Sequence, residues 1–319
     1  MVGLSFWNLE LITIKFMKKL SITIGISAYN EENNIKNLLE SVLIQSTKNI
    51  ILKEIIIISD GSKDNTVREI KLINDSRIKL FSHRKRAGKS NRMNEIFRKF
   101  TSDILVLLDG DIVLGNNKVL EEVAKPFIKD AEIGLVGGKT EPFIKNNYIV
   151  KAINLTIKCY VNYTETINNG DNVYACKGAF VALSKKFAKN LSIPKEVVSS
   201  DTYQYLSCIK QGFKFKYVRS TKVYYHLPQT LRDHVKQNKR FVSARHEMEK
   251  YFGNLVNTEF EKNRLKLYQY MFLEFIKHPI LALSIFLINS YVKLQTKENS
   301  KIINNRWSIA SSTKGVNYK

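Results

Sequence analysis

The stretch Ile104-Leu105-Val106-Leu107-Leu108-Asp109-Gly110-Asp111 decides the fold. Its unbroken apolar run, with no alternation of polar residues, reads as a strand buried on both faces of a sheet. Upstream, Lys89–Phe100 reads as a helix and Ile78–Ser82 as a strand. A helix starts at about Asn65, after the strand Ile55–Ser59. Before that, Glu31–Gln45 places Ile35, Leu38, Leu39 and Val42 at helical spacing, behind the β-branched strand Leu20–Ser27. Strand and helix in repeated succession predict a parallel, doubly wound α/β sheet with right-handed crossovers. Ligands of such sheets bind at the carboxyl ends of the strands, which points to the loops after Ser27, Ser59, Ser82 and Leu108.

Downstream of Gly137-Gly138 the pattern loosens. A long helix is expected over Tyr148–Thr166, short strands around Cys176 and Phe180–Leu183, and a helix after Asp201. Lys214–Arg219 and Val223–His226 read as two strands, and Leu231 to about Phe275 as mostly helical. Ile280–Val292 is the most apolar stretch, framed by Lys277 and Lys293. It is shorter than the ~20 apolar residues of a spanning helix. Its basic flanks match anionic headgroups, so a helical, membrane-associated segment is expected, with a buried core helix as the alternative. From about Gln295 the chain reads as a floppy polar tail. At the other end, residues 1–16 read either as an extension ahead of a true start at Met17 or as an interfacial helix carrying Leu4, Phe6 and Trp7.

With 319 residues, 44% of them hydrophobic, the chain can bury a proper core, which excludes wholesale disorder. Lys and Arg exceed Asp and Glu by 51 to 29, a formal charge of +22. That excess favours an anionic partner, although the basic residues are scattered and a compositional bias explains them equally well. The three cysteines lie far apart, which argues against a disulfide framework and suits a reducing compartment. No zinc motif is present among the five histidines, and no secretory signal opens the chain. Without a zinc finger, zipper or aromatic RNA-binding motif, a nucleic-acid partner is not expected, and a basic nucleic-acid-binding module stands only as an alternative function.

Asp109 and Asp111 sit two apart at a strand end, so both carboxylates can face one ion. Oxygen ligands of this kind suit Mg2+ or Mn2+ and leave positions open for substrate phosphates. The plainer reading is a polar turn. Ala28-Tyr29-Asn30-Glu31 and Asp60-Gly61-Ser62 end two other strands at the same sheet edge. Gly88-Lys89-Ser90 opens a helix after a strand, as a phosphate loop does, which makes a phosphate-loop nucleotidase an alternative function. A full loop needs a glycine five positions before Gly88, where His83 stands.

The ordered set Ser27-Ala28-Tyr29-Asn30-Glu31-Glu32, Ser59-Asp60-Gly61-Ser62-Lys63-Asp64-Asn65-Thr66, Gly88-Lys89 and Leu108-Asp109-Gly110-Asp111 resembles family 2 glycosyltransferases, which have the GT-A fold. Lys177-Gly178-Ala179, Ser200-Asp201 and Gln237-Asn238-Lys239-Arg240-Phe241 resemble later motifs of that family. The resemblance spans residues 20–245. It implies a Rossmann-like, mostly parallel sheet flanked by helices, with a catalytic domain over 20–251. A helical, membrane-associated segment over 252–295 and a polar tail over 296–319 follow, behind an extension over 1–19.

The resemblance also implies roles. Ala28, Tyr29, Glu31 and Asp60 would hold the nucleoside of a nucleotide-sugar donor, expected to be UDP-linked, with Lys89 near the nucleotide. Asp109 and Asp111 would be the metal pair, Asp111 the direct ligand. Asp201 would be the base that deprotonates an acceptor hydroxyl in an inverting displacement. The alternative for Asp201 is a helix cap. Arg240 would grip the diphosphate, with Gln237 and Phe241 on the acceptor side. Phe241 departs from the tryptophan of polysaccharide synthases, and Ser59 from a second aspartate. Transfer to a glycan or lipid-linked acceptor, at the cytoplasmic face of a membrane, is the resulting expectation.

Overall fold

The apolar runs become strands and the 3.6-residue patterns become helices. In the computed structural model, which describes residues 19–260, 265–298 and 311–314, the first half is a regular alternation. It comprises β1 (Leu20–Ala28), α1 (Ile35–Leu43), β2 (Ile50–Asp60), α2 (Thr66–Lys71), β3 (Ile78–His83), α3 (Lys89–Lys99) and β4 (Ile104–Asp109). After it come β5 (Ile112–Leu114), α4 (Val119–Lys129), β6 (Ile133–Phe143), α5 (Tyr148–Thr166), β7 (Phe180–Ser184), α6 (Lys185–Lys189), α7 (Ser200–Lys210) and β8 (Lys214–His226). Four further helices follow: α8 (Leu231–Phe252), α9 (Asn254–Phe260), α10 (Leu265–Lys277) and α11 (Pro279–Glu298).

All eight strands form one sheet in the order β3-β2-β1-β4-β7-β6-β8-β5. The first four are mutually parallel. Along β4 the side chains alternate. Ile104, Val106 and Leu108 join the core with Ile35, Leu38 and Val42 of α1 and Val119 and Val123 of α4. Leu105 and Leu107 point into the opposite core with Met93, Ile96 and Phe97 of α3. Each such buried side chain contributes roughly 1.5–3 kcal/mol. Gly25 lets α3 approach β1 closely, since a Cβ there would lie 2.7 Å from Ile96 Cγ2.

Beyond β4 the sheet is mixed rather than doubly wound. β7 runs antiparallel to both β4 and β6, and β5 antiparallel to β8, while β6 and β8 are parallel. The reason lies in α5. Its Val150, Ala152 and Ile153 pack with Leu227 and with Ile285 of α11, and its Cys159 and Tyr163 with Leu267 of α10. The passage from β6 to β7 is therefore not a crossover covering the sheet, and nothing forces parallel pairing. The expected strand near Cys176 is a short 3-10 turn over Val173–Ala175. The two strands expected in 214–226 are one, β8, whose pairing with β6 shifts register between Gly138 and Thr140.

The residues read as a start-codon extension or interfacial helix lie outside the described residues. α11 continues to Glu298, past the expected start of the tail, and Ser311–Thr313 form a short 3-10 turn. Among the described residues, no helix is long and apolar enough to cross a membrane.

Candidate active site

The loops after β1 and β2 hold each other. Asn30 adopts a left-handed conformation at φ 54°. Its N–H donates to Ser62 Oγ at 3.2 Å, and its Oδ1 accepts from the Lys63 N–H at 2.9 Å. The Glu31 N–H donates to Thr66 Oγ1 at 2.7 Å, and Glu32 Oε2 accepts from the Asn65 N–H at 2.9 Å. Much of the Ser59–Thr66 motif is thus spent on fixing the Asn30–Glu32 turn. Ala28 is fully buried at the end of β1, so only its main chain is left to meet a ligand. The Tyr29 ring lies under the Arg86 guanidinium, 3.9 Å from its centroid.

Asp60 is 3% exposed. Its Oδ1 accepts from the Ala87 N–H at 2.7 Å and from Arg92 Nε at 2.7 Å, and its Oδ2 from the Gly88 N–H at 2.8 Å. The carboxylate expected to hold the nucleoside thus also folds the loop between β3 and α3, which carries Arg86. Gly88 takes φ 96° to make that turn, a conformation that favours glycine.

These contacts also count against the phosphate-loop reading. The amides that would cradle an anion point at Asp60, and the Ser90 hydroxyl donates to the Val197 carbonyl at 2.9 Å. His83, in the place of the missing glycine, pairs with Glu95 at 2.9 Å.

The first turn of α3 aims Lys89 at the end of β4, where its ammonium ion-pairs with Asp109. Burial disfavours the charged lysine. Asp109, with Asp201 and Asp111 beyond it, more than compensates and raises the Lys89 pKa above its ordinary value. Asp111 is raised by burial and by Asp109, against the pull of Lys314 and Lys89. Glu31, 7% exposed, is pushed up to about 8 by burial and by Asp111, while Lys314 and Asn34 act the other way. Gly110 makes room for this packing, since a Cβ there would lie 2.7 Å from Glu31 Cγ.

Asp201 reaches the same edge through two neighbouring residues. The Asp109 N–H donates to the Ala179 carbonyl at 3.1 Å, and the Gly178 N–H donates to Asp201 Oδ2 at 3.1 Å. Asp201 also serves its own helix, since its Oδ1 accepts from the Thr202 N–H at 2.8 Å. Ser199 is the N-cap residue of α7 and Asp201 lies inside its first turn. Glu247 of α8 accepts from the Val198 N–H at 2.7 Å and the Ser199 N–H at 3.0 Å. Lys177, next to Gly178, is lowered by burial to about 8 despite Glu165. Gln237 lies on α8, partly buried. The side chains of Arg240 and Phe241 lie outside the described residues.

The structure thus brings Tyr29, Glu31, Lys89, Asp109, Asp111 and Asp201 to one sheet edge, with Asp60 beneath them. Arg86, Arg92, Glu247 and Lys314 were not foreseen. The basic run Arg84-Lys85-Arg86 was a usable signal for the first. The others act over long separations that no local pattern marks.

A fit for a divalent ion can be judged from the donor set. Among the described residues, no group of three or more His, Cys, Asp or Glu is gathered to hold one. Two strand-end carboxylates with positions left for phosphate oxygens suit Mg2+ or Mn2+, which seldom use all-protein cages.

The family model described as Glycosyl transferase family 2 matches residues 23–191, more than half of the 319-residue chain. The poly-beta-1,6-N-acetyl-D-glucosamine synthase of Staphylococcus aureus (strain MSSA476) is 26% identical over 233 residues, covering 71% of this chain and 55% of that protein. The synthase of the same name from Staphylococcus epidermidis is 25% identical over 276 residues, covering 84% and 64%. The chain thus spans between half and two thirds of these relatives' length.

Among solved structures, a mannosyltransferase from Pyrobaculum calidifontis, in complex with GDP-Man and Mn2+, superposes with a TM-score of 0.59. It has 15% identity and covers 89% of this chain and 85% of that one. Glucosyl-3-phosphoglycerate synthase from Mycobacterium tuberculosis, with Mn2+, UDP and phosphoglyceric acid, gives 0.53 at 16% identity, covering 79% and 84%. The fold is that of the GT-A glycosyltransferases. The chain belongs to glycosyl transferase family 2.

Proposed function

We propose that this glycosyltransferase moves a hexose or N-acetylhexosamine from a UDP-linked donor to a hydroxyl of a glycan or lipid-linked acceptor, inverting the anomeric configuration. One observation carries the reading. Lys89, Asp109, Asp111 and Asp201, drawn from three separate segments, meet at the carboxyl edge of the sheet, where α/β sheets bind ligands. The staphylococcal synthases suggest a glycan product, and the nucleotides held by the two structural neighbours suggest the donor class.

In this reading Tyr29 and Arg86 face the base, and Asp60 shapes their loop. The main chain at Ala28 and the carboxylate of Glu31 border the nucleoside. Lys89, Asp109 and Asp111 border the diphosphate end, where Asp111 would hold the metal ion, and Arg240 would bind the phosphates, as in the family's motif. When bound, Mg2+ or Mn2+ supplies charge neutralisation for the diphosphate. Gln237 and Phe241 would serve the acceptor side, as in the family's motif.

Asp201 accepts the proton of the acceptor hydroxyl, because an alcohol is a poor nucleophile until a positioned base removes it. The hydroxyl oxygen then bonds to the anomeric carbon as the bond from that carbon to the diphosphate oxygen breaks. The Gly178 N–H orients Asp201 through Oδ2. Asp201→Asn should bind donor as wild type does and lose transfer by at least about 100-fold, the low end for a general base. Equal transfer rates in the two proteins, measured by product formation, would remove the assignment.

The reading also places the enzyme on a membrane surface. α10 and α11 expose large apolar side chains, among them Phe272 at 64%, Ile280 at 75% and Phe286 at 64%. Lys266, Lys277 and Lys293 stand exposed among them, which complements anionic headgroups. The three cysteines are free and buried, which suits the cytoplasmic side.

A further inference from the structure

Glu31 and Asp111 share a charged partner from the far end of the chain. The segment Ser311–Lys314 returns to the mouth of the site and is tied down there. The Ser312 N–H donates to Asp233 Oδ2 at 2.9 Å, its Oγ accepts from the Gln229 N–H at 3.1 Å, and its carbonyl accepts from Gln229 Nε2 at 2.8 Å. Thr313 is buried. With these anchors in place, the Lys314 ammonium pairs with Glu31, whose side chain packs against Gly110, next to Asp111. Only 17% of the Lys314 side chain is exposed, and 8% of its partner's. A lysine held this deeply beside two carboxylates is not a solvated surface charge.

We propose that Lys314 is the internal cation of the Glu31 and Asp111 carboxylates, and that a divalent metal ion takes Asp111 in competition with it. The inference rests on the reading of Asp111 as a metal ligand. Two carboxylates withdrawn from water repel each other, and a nearby cation relieves that repulsion. An ammonium and a doubly charged ion at the same acids repel in turn, so each weakens the other's binding. Ser311–Lys314 is then a strap over the donor site, fastened to Gln229 and Asp233 and released as metal loads. Its anchors are a few ordinary hydrogen bonds, which a tightly bound ion can outweigh.

Mn2+ binding to the full chain without donor, followed by titration calorimetry, tests this. Lys314→Gln should bind Mn2+ roughly ten-fold more tightly than wild type, and Lys314→Arg should bind as wild type does. In wild-type protein, tryptic cleavage after Lys314, followed by mass spectrometry, should be slow in chelator and faster at saturating Mn2+. Unchanged or weaker Mn2+ binding in Lys314→Gln, or cleavage indifferent to Mn2+, overturns the inference while leaving the metal reading intact. No Mn2+ binding in any of the proteins overturns the metal reading and this inference together.

Discussion

At the residue scale, the acids and cations at the sheet edge divide into those that face the cleft and those that build it. Asp60 belongs to the builders. Its two oxygens take three donors from Ala87, Gly88 and Arg92, so it fixes the loop that presents Arg86 to Tyr29. Lys177 bears a cost of a different kind. Burial lowers its pKa from 10.5 to about 8, so between those values the unfolded chain binds more protons than the folded one. Stability conferred by this group is fully present above pH 10.5 and is lost as pH falls toward about 8. Lys177→Met should raise the melting temperature at pH 7 and flatten its rise with pH over that window. Thermal unfolding across the pH range checks this, and an unchanged slope would remove the claim.

At the scale of elements, the sequence was most legible where its periodicity matched a single packing partner. β1 to β4 and their helices follow from apolar runs and 3.6-residue spacing because each helix has one sheet face to cover. The antiparallel β7 was not legible. α5 was placed correctly at Tyr148–Thr166, but periodicity does not tell whether its apolar stripe meets the sheet or other helices, and that choice sets the direction of the next strand. Asp109 and Asp111 were readable from their place at a strand end. Glu247 was not, because an acid on one helix capping another lies 49 residues from the amide it serves.

The same ambiguity surrounds α10 and α11, whose apolar residues exceed what α5 covers. Seven large apolar side chains on α10 and six on α11 are exposed among the described residues, more than scattered surface hydrophobes account for. The full chain should co-sediment with vesicles containing anionic lipid and far less with purely zwitterionic ones. Phe272→Asp combined with Phe286→Asp should weaken its partitioning onto vesicles by at least about a hundred-fold, since each change removes about 1.5–3 kcal/mol of apolar burial. Equal sedimentation of the double variant would contradict the lipid-facing assignment.

At the scale of the whole molecule, the site is an assembly of distant segments. Lys314 meets Glu31 across 283 residues of sequence, and no composition or motif reading could have paired one lysine among 51 basic residues with that acid. The expected floppy tail is, at Ser311–Lys314, packed against Glu31 at the sheet edge. What the order of motifs did convey was the sheet edge where chemistry gathers, since each motif ends a strand or opens a helix there.

The central claim is metal-dependent capture of a nucleotide sugar by Asp111. A thermal-shift titration of UDP-sugars with and without Mn2+, on wild type and Asp111→Ala, tests it most directly. Wild type should be stabilised by donor only when Mn2+ is present, by about 2.7 kcal/mol at a hundred-fold excess over Kd, and Asp111→Ala should show no such gain. Donor stabilisation that is independent of metal, or that survives in Asp111→Ala, would contradict the account.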